Sequence, residues 1–525
     1  MNVTISCCRW MCVTAILILA ATAVIAQTAP PKEIDAYVDR VRSTFDVPGI
    51  GLAIVKDGKV VLAKGYGIRK MGEKAAVDEH TLFAIASNTK VFTATAIGIL
   101  VEEGKLEWDA PVIRYLPWFR LSNPYVTNEI TVRDLLVHRS GLGLGAGDLL
   151  WWPPSTYNRD EIARRLQYIP LVTSFRSAYA YDNVLYLVAG QLIESVSGMS
   201  WEDFIAKRIF IPVGMTESKD RHSDIGGTAN AAWSHAKVEG SVRPVAPFTS
   251  DNTNPAGGVV TNAVDIAKWM ITQLDSGKTP DGKWLFTPRT NRQLWTIVTP
   301  LGTGNPPPEL SALRAQFNGY ALGLGVNDFR GHKVISHTGG LPGFVSKVAL
   351  LPDQRLGVAV FTNQESGAAF QAITMHIFDH YLKMNDTDWL AAYQKLMARS
   401  DSMMAAANAK TSASRKADSR PLLPLASYAG TYNDQWYGDI QVAQENGKLV
   451  ITFTKTPSLV GDLEHWQYDT FVARWRDREL RADAFVTFSL RPDGTIREAR
   501  MEAVSPETDF SFDFQDLLLK PVAKK

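Results

Sequence analysis

The chain has 525 residues, of which 46% are hydrophobic and 21% are charged, as in an ordinary folded globular protein. Its 55 Lys and Arg residues nearly balance its 54 Asp and Glu residues, and no long run of one sign occurs. This balance argues against a nucleic acid or an anionic membrane surface as the partner.

The first 26 residues have the pattern of a secretory signal peptide. Arg9 precedes an apolar run from Val13 to Ala26, with small residues at Val24 and Ala26 before Gln27. This run is shorter than the roughly 20 residues of a spanning helix. We therefore expect cleavage after Ala26 and a periplasmic or secreted protein without stable membrane insertion. An uncleaved anchor is the alternative.

All the cysteines, which are Cys7, Cys8 and Cys12, lie inside this segment. The mature chain therefore has no thiol, and the removal of Arg9 makes its basic and acidic residues equal in number. A disulfide framework, a cysteine nucleophile and a Cys-ligated metal are all ruled out for the mature protein.

The pattern that follows predicts a helix and then a β-hairpin. Helical spacing covers 33–45, and strand signals at 50–55 and 59–63 flank an Asp57-Gly58 turn. A second helix is predicted over 87–103, because apolar residues recur at helical spacing and a helix-stopping glycine follows.

Strand signals return late in the chain, at 333–337, 346–351 and 357–362, after mixed turns and helices that extend to about residue 315. Two early strands and three late ones with helices between them predict an α+β fold. We expect one antiparallel sheet flanked by helices, together with an all-α subdomain.

The segment 397–420 is rich in Ala and Ser and predicts a frayed helix followed by a linker. Beyond it, residues 428–514 contain short apolar and aromatic runs broken by Asn446-Gly447 and Asp493-Gly494, which predict consecutive hairpins in a small all-β, barrel-like domain. The expected parts are a signal peptide at 1–26, a catalytic domain at 27–395, a linker at 396–422 and the β domain at 423–525.

Two Ser-x-x-Lys tetrads are the first candidates for chemistry. Ser87-Asn88-Thr89-Lys90 opens the predicted long helix, so Lys90 shares the face of Ser87 one turn on. Ser234-His235-Ala236-Lys237 opens no such helix. A serine at a helix start is often only a cap, but a neighbouring cation assists its deprotonation and the helix dipole stabilises negative charge. We therefore predict Ser87, and not Ser234, as the nucleophile.

Two further stretches offer polar groups. Tyr181-Asp182-Asn183 precedes a predicted helix and supplies a phenol as a proton carrier and an amide for a substrate carbonyl. His337-Thr338-Gly339-Gly340 ends a predicted strand, where glycine permits the close approach of an extended substrate. Taken alone, the first stretch is a turn and the histidine is structural. Trp151 and Trp152 either line a substrate cleft or pack a long loop.

In order and context, these stretches resemble the serine beta-lactamase and penicillin-binding-protein superfamily, in its class C-like and DD-peptidase-like branch, over about residues 33–379. Other stretches similar to family segments are Thr81-Leu82-Phe83, 135–142, Ala256-Gly257-Gly258 and 339–344.

The resemblance implies a role for each candidate. Ser87 is the acylated nucleophile, Lys90 and Tyr181 manage its proton, and His337 is a further catalytic residue. Asn183, Gly339 and Gly340 bind the substrate, and the oxyanion is held by the backbone N–H groups of Ser87 and Gly340.

One departure from the family pattern is informative. Class C lactamases usually have Lys-Thr-Gly where this chain has His337-Thr338-Gly339, and a histidine there looks more like DD-carboxypeptidases, D-aminopeptidases and related esterases. A neutral imidazole lowers the pKa of a neighbouring phenol less than an ammonium does. The general base therefore stays open between Tyr181 and a neutral Lys90.

We predict an exported serine hydrolase that acts through an acyl-enzyme on small peptides with D- or unusual residues. The resemblance includes muropeptide carboxypeptidases, D-residue peptidases and the peptidase for linearised microcystin. A carboxylesterase is the next alternative and a beta-lactamase ranks third. A penicillin-binding sensor or scaffold is the non-enzymatic alternative, and a homo-oligomer is left open.

No cofactor and no metal are predicted. His376 and His380 have the i, i+4 spacing of helix-borne ligands, but the glutamate of the H-E-x-x-H motif is missing. We therefore expect both histidines to lie on a helix surface.

The terminal module resembles the lipocalin-like domain appended to some peptidases of this superfamily, through 428–432 and Tyr437-Gly438. Its aromatic residues are expected to fill its own core. Every catalytic candidate lies before this module and a linker precedes it. We therefore expect it to restrict access to the cleft rather than to supply chemistry.

Overall fold

The computed structural model describes residues 29–523, so the predicted signal peptide lies outside the described residues. The α-helices of this part of the chain are Ile34–Thr44, Lys90–Glu102, Pro124–Glu129, Arg159–Arg165, Val184–Ser197, Trp201–Ile205, Ile211–Val213, Asn254–Gly257, Ala263–Leu274, Pro288–Leu294, Gly367–Leu382 and Trp389–Ala413. None of the helices within 29–523 has the length and apolar character needed to span a bilayer.

The strands are, in chain order, β1 Gly49–Lys56, β2 Lys59–Gly67, β3 Phe83–Ala84, β4 His235–Val238, β5 Ser241–Pro244, β6 Val260–Thr261, β7 Thr299–Leu301, β8 Asn318–Tyr320, β9 Gly325–Phe329, β10 His332–Leu341, β11 Phe344–Leu351, β12 Leu356–Thr362, β13 Gly430–Asp434, β14 Gly438–Glu445, β15 Lys448–Phe453, β16 Val460–Gln467, β17 Thr470–Trp475, β18 Ala484–Leu490, β19 Ile496–Ala503 and β20 Lys520–Pro521.

The larger sheet of the N-terminal part of the chain has eight antiparallel strands in the order β2-β1-β12-β11-β10-β9-β8-β7. Closure of the sheet by distant segments is confirmed, because β1 pairs with β12 and Ala53 lies opposite Ala359. Asp57 and Gly58 both have positive φ, at 52° and 75°, which is the geometry of a tight hairpin turn. The predicted α+β class is therefore confirmed.

Strands β7, β8 and β9 extend this sheet beyond the five predicted strands. They are only three to five residues long, too short for alternation to stand out in the sequence. Strand β10 also runs beyond its predicted end at His337, because Gly339 and Gly340 stay in the ladder with β11.

Helices cover both faces of the sheet, and the alternation along β1 divides the core in two. Leu52 and Ile54 face a cluster that includes helices Ile34–Thr44 and Gly367–Leu382. Ala53 and Val55 face the larger cluster that contains the helices of the all-α part.

Helix Lys90–Glu102 lies inside this larger cluster and is buried on all sides from Lys90 to Leu100. Its nearly continuous apolar sequence is typical of a central helix. A central helix provides a rigid support for the residues at its N-terminal end.

Helix Trp389–Ala413 takes up most of the segment predicted as a linker at 396–422. Trp389 and Tyr393 anchor its first turns in the core, and the Ala, Met, Lys and Arg residues that follow favour helix strongly. The helix therefore continues through the Ala- and Ser-rich stretch. The domain boundaries themselves stay a prediction.

The C-terminal strands form a nearly closed antiparallel barrel with the order β19-β18-β17-β16-β15-β14-β13-β20. Its two edges meet where Ala499 of β19 bridges Leu519, directly before β20. Aromatic rings fill the interior, as predicted: Tyr428, Phe471 and Phe488 contact one another, and Trp475 stacks on Phe514.

Candidate active site

Ser87 lies in a short 3₁₀ turn, Ala86–Thr89, that runs directly into helix Lys90–Glu102. Lys90 Nζ donates to Ser87 Oγ at 3.0 Å, so the predicted spacing does bring the two side chains together. Ala86 has a φ of 48°, an uncommon conformation for a residue with a side chain. Such backbone strain is often found at functional sites, and here it stands directly before the candidate nucleophile.

The second tetrad forms no such pair. Ser234 is fully buried beside strand β4, whereas Lys237 within that strand is exposed. Residues three apart along a strand point to opposite faces. The geometry therefore agrees with Ser87 as the candidate nucleophile.

Lys90 is completely buried among polar partners and aromatic rings. Its Nζ also donates to Asn183 Oδ1 at 2.7 Å and to the carbonyl of Ala256 at 3.0 Å, and it lies 4.9 Å from the ring centre of Tyr181. Burial lowers the pKa of Lys90 to about 7, against the opposing charges of nearby aspartates. This lysine can therefore gain and lose a proton near neutral pH.

Tyr181 lies beside Ser87 and is partly buried. Burial raises the pKa of the phenol further above its usual value, and the hydrogen bond with Ser87 acts in the opposite direction. The ring of His138 lies 4.3 Å from the Tyr181 ring, and His138 Nδ1 accepts the backbone N–H of Asp182 at 3.1 Å. His138 is thus a structural hydrogen-bonding residue that fixes the backbone beside the phenol.

Two buried carboxyl groups near Lys90 were missed as site residues. Asp148 accepts from Trp151 Nε1 at 2.9 Å, from Asn183 Nδ2 at 2.8 Å and from Ser511 Oγ at 2.9 Å. Burial raises the pKa of Asp148 to about 7, and it does the same for Asp182. Asp148 lies in an apolar loop that gave no signal, whereas Asp182 lies within the Tyr-Asp-Asn stretch.

Asn183 connects these groups, since its oxygen accepts from Lys90 and its nitrogen donates to Asp148. The amide was predicted to bind substrate, and that role stays a prediction. The geometry adds that Asn183 holds Lys90 in position.

His337 has both ring nitrogens engaged within the protein. Its Nδ1 lies 2.5 Å from the carbonyl oxygen of Thr338, which can only accept, so Nδ1 carries the hydrogen. Nε2 then accepts from the hydroxyl of Tyr320 at 2.8 Å. Burial, helped by the charge of Lys90, lowers the pKa of His337 to about 3. The imidazole is therefore neutral and orients its neighbours, while its predicted catalytic role stays a prediction.

Gly339 and Gly340 serve different purposes in β10. A methyl group on Gly339 would lie 2.1 Å from the carbonyl oxygen of Ile85, so only glycine lets this strand pack on the turn before Ser87. A methyl group on Gly340 would meet nothing within 4 Å. The space beside Gly340 is thus open to a substrate.

Ser87, Tyr181, Asn183, His337 and Gly340 line one cavity of about 280 Å³. Trp151 and Trp152 form part of its wall and also pack against each other and Phe248, and their contact with substrate stays a prediction. The cavity shares Trp152 and Gly340 with a larger cleft of about 1020 Å³ between the two domains.

The C-terminal module reaches into the same cavity with residues 509–513. Phe510 sets its ring against Tyr181, with the ring centres 6.0 Å apart. Ser511 binds Asp148, and Asp513 accepts the backbone N–H of Gly147 at 2.6 Å.

The module therefore lies at the cleft, as expected, and goes beyond restricting access because it supports the site from within. In the sequence, the alternation of Phe with polar residues over 510–514 was the one sign that this segment has an apolar and a polar face.

Within 29–523 no cluster of three or more His, Cys, Asp or Glu residues could hold a metal ion.

Comparison with known proteins assigns most of the chain to known domain families. The beta-lactamase family model matches residues 34–382, and a domain of unknown function matches residues 414–521. The unguisins hydrolase ungD of Aspergillus violaceofuscus is 27% identical over 483 residues, which cover 86% of this chain and 84% of that protein. The unguisins hydrolase ungD' of Aspergillus campestris is 30% identical over 422 residues, which cover 75% of each chain.

Two solved structures share the fold. The octameric penicillin-binding protein homologue from Pyrococcus abyssi has a TM-score of 0.59 at 21% identity, over 93% of this chain and 99% of that one. A D-stereospecific amidohydrolase from Streptomyces sp. has a TM-score of 0.53 at 21% identity, over 66% of this chain and 99% of that one.

Proposed function

The chain belongs to the beta-lactamase family and is a serine hydrolase, and from this premise we propose that it is an exported amidase for small peptides with D- or unusual residues. The proposed reaction passes through an acyl-enzyme at Ser87. The observation that carries the proposal is the 3.0 Å contact between Lys90 Nζ and Ser87 Oγ in a buried site.

The names of the similar proteins support amide hydrolysis. Two relatives are named as hydrolases of unguisins, and one structural neighbour is named as a D-stereospecific amidohydrolase. The inner cavity together with the larger cleft has the size of a site for a substrate of several residues.

In the proposed first step, neutral Lys90 takes the proton of Ser87 while Oγ attacks the carbonyl carbon of the amide. Near neutral pH a substantial fraction of Lys90 is neutral, because burial lowers its pKa to about 7. The carbonyl oxygen becomes an oxyanion, and the backbone N–H groups of Ser87 and Gly340 stabilise it.

When the tetrahedral intermediate collapses, the C–N bond breaks and the leaving nitrogen takes a proton. Tyr181 stays protonated because burial raises its pKa, so it can pass a proton from Lys90 to that nitrogen. Water then attacks the acyl group, Lys90 accepts the proton of the water, and Ser87 regains its own. Of the two candidate bases, these pKa values favour Lys90.

Export and assembly form part of the proposal. The first 26 residues support export, and cell fractionation of the full chain tests it. The octameric state in the name of the Pyrococcus abyssi neighbour supports a search for a homo-oligomer, for which light scattering on the purified protein is the measurement.

The main experiment measures the turnover of four substrates by the purified chain from Gln27 onward: a D-residue peptide amide, its L-isomer, an ester of the same acyl group and a cephalosporin. We expect turnover of the amide, a covalent acyl group on Ser87 by mass spectrometry, and little turnover of the L-isomer. Turnover of the ester alone would indicate the carboxylesterase, and acylation without turnover would indicate the sensor.

A further inference from the structure

The hairpin that carries Gly340 ends in a turn that needs support from other parts of the fold. Strands β10 and β11 are joined by Pro342 and Gly343 alone, since Leu341 and Phe344 are the last paired residues. The two-residue turns that match the twist of a hairpin need a positive φ at their first residue, which proline cannot adopt. Gly343 supplies a φ of 78° only at the second residue. The turn therefore fits the twist of its own strands poorly.

Strand β10 also loses its other neighbouring strand before it reaches this turn. Strand β9 pairs with β10 only from His332 to Ser336, so β11 is the only strand of the described sheet beside residues 337–341. Gly340 lies on this stretch and lines the Ser87 cavity. The position of its backbone N–H therefore depends on how firmly the turn is held.

Glu365 supplies that support. Its Oε1 accepts the backbone N–H of Gly343 at 2.9 Å, whereas the hydrogen bond from the His235 N–H to the Gly343 carbonyl is longer, at 3.4 Å. Glu365 also has a firm base, because the side chain of Asn363, two residues earlier, is fully buried and makes three hydrogen bonds to backbone groups at the start of β1 and just after β2. The carboxylate is thus the better anchored of the two contacts of the turn.

Arg481 comes from the C-terminal module and holds the Glu365 carboxylate with both arms of its guanidinium. Nη1 donates to Oε2 at 2.6 Å, and Nη2 donates to Oε1 at 2.7 Å. A bidentate pair of this kind fixes the orientation of a carboxylate as well as binding it. The side chains of Arg481 and Glu365 are only 35% and 25% exposed, so water screens the pair incompletely. Arg481 therefore sets the position of the oxygen that receives the Gly343 N–H.

We propose that Arg481 is a positioning residue for the reaction: through Glu365 it holds the Pro342-Gly343 turn, and with it the backbone N–H of Gly340 that faces the oxyanion. This inference rests on the proposed function, in which that N–H stabilises the oxyanion. Such a donor acts only if it already stands where the negative charge develops, and a small displacement of a catalytic group costs much of the rate.

The test compares Arg481→Met and Glu365→Leu, which remove the pair, with Arg481→Lys, which keeps the charge. The first two should lower kcat for a D-peptide amide at least about tenfold with KM changed less than about twofold, because the oxyanion exists only beyond the ground state. Arg481→Lys should restore most of the rate. Each kcat is referred to the number of sites that a fluorophosphonate labels at Ser87, so that a smaller folded fraction does not lower it.

A peptide boronic acid gives a second readout, since its tetrahedral adduct with the serine Oγ places an oxygen where the oxyanion forms. Its dissociation constant should rise in Arg481→Met by the same factor by which kcat falls. Arg476→Met is the matched control, because it breaks an ion pair with Asp462 at 2.9 Å that lies wholly within the module. That variant should keep the wild-type kcat and affinity.

Hydrogen exchange of the peptide that contains Gly343 separates this inference from the proposed function. The Gly343 N–H should exchange at least about tenfold faster in Arg481→Met than in the wild type. If wild-type Ser87 is not labelled and no amide is cleaved, the proposed function is wrong, and no reaction remains for Arg481 to serve.

If wild-type Ser87 is labelled and the amide is cleaved, but folded Arg481→Met keeps the wild-type exchange, kcat and boronate affinity, only the positioning role is wrong. Faster exchange with an unchanged kcat would likewise overturn that role, because the turn would then be held without any effect on the oxyanion. Glu365→Leu decides between the same outcomes if Arg481→Met does not fold.

Discussion

The hydroxyl of Ser511 donates to Asp148 at 2.9 Å, although 363 residues separate the two in the sequence. Asp148 accepts from Asn183 at 2.8 Å, and Asn183 accepts from Lys90 at 2.7 Å. A continuous series of hydrogen bonds therefore joins the C-terminal module to the lysine beside Ser87.

Ser511→Ala should lower the acylation rate by about tenfold with little change in KM, because the buried hydrogen bond from Ser511 to Asp148 is lost and Asn183 is held less firmly. Ser511→Thr keeps the hydroxyl and should restore the rate. Stopped-flow acylation measures both, and Thr508→Val, a change in the same loop, serves as the control. A wild-type rate in folded Ser511→Ala would contradict the role of this contact.

A chain that stops after Ala413 should fail to acylate even where it remains soluble. It lacks the Ser511 contact to Asp148 and the Phe510 ring against Tyr181. Fluorophosphonate labelling and circular dichroism of this chain provide the measurement. Efficient labelling of a folded truncated chain would show that the module only restricts access.

Lys90→Met and Tyr181→Phe should each slow acylation by at least about 100-fold, the usual scale for the loss of general acid–base catalysis. Ser87→Ala should abolish covalent labelling. The second tetrad supplies a matched control, since Ser234→Ala should acylate at the wild-type rate. Near wild-type acylation by folded Lys90→Met would remove the proposed base.

The acylation rate should rise with pH through about 7, because burial lowers the pKa of Lys90 to about that value and only the neutral amine accepts a proton. The charge of Asp182 raises the pKa of Lys90. Asp182→Asn removes that charge and should move the rise to lower pH. Asp418→Asn, at an exposed position, is the control and should leave the pH of the rise unchanged. A move of the rise to higher pH in Asp182→Asn would contradict the electrostatic argument.

The two neighbouring glycines of β10 should respond differently to alanine. Gly339→Ala should lower the free energy of unfolding by about 1–3 kcal/mol, because its methyl group meets the Ile85 carbonyl. Gly340→Ala should change it by less than about 0.5 kcal/mol, since nothing lies within 4 Å. Urea unfolding of both variants measures the difference, and equal effects would mean that the strand does not press on the Ser87 turn.

Local patterns made the main elements and the contact between Ser87 and Lys90 predictable. The Asp57-Gly58 turn lies between two apolar runs, so these neighbouring residues alone predict the hairpin. Ser87 and Lys90 are brought together by a single helical turn, so their spacing alone predicts the contact. The strands of the sheet were predicted only where they were long enough to show alternation.

The rest of the site depends on contacts between distant segments. Asp148 meets Asn183 through the fold of its own domain, and Ser511 reaches Asp148 only because the β module docks. Nothing near either residue in the sequence predicts these contacts. The regular helix through Ala413 was also underestimated, because the serines of that segment masked its strong helix formers.

The order in which this polypeptide is synthesised has a consequence for when it becomes active. The Ser87 turn leaves the ribosome first, while Phe510 and Ser511 are added hundreds of residues later. On this geometry the nascent chain lacks a complete site through most of its translation. A message cut short before codon 511 would then produce a protein with Ser87 and Lys90 in place but without the contacts from the module.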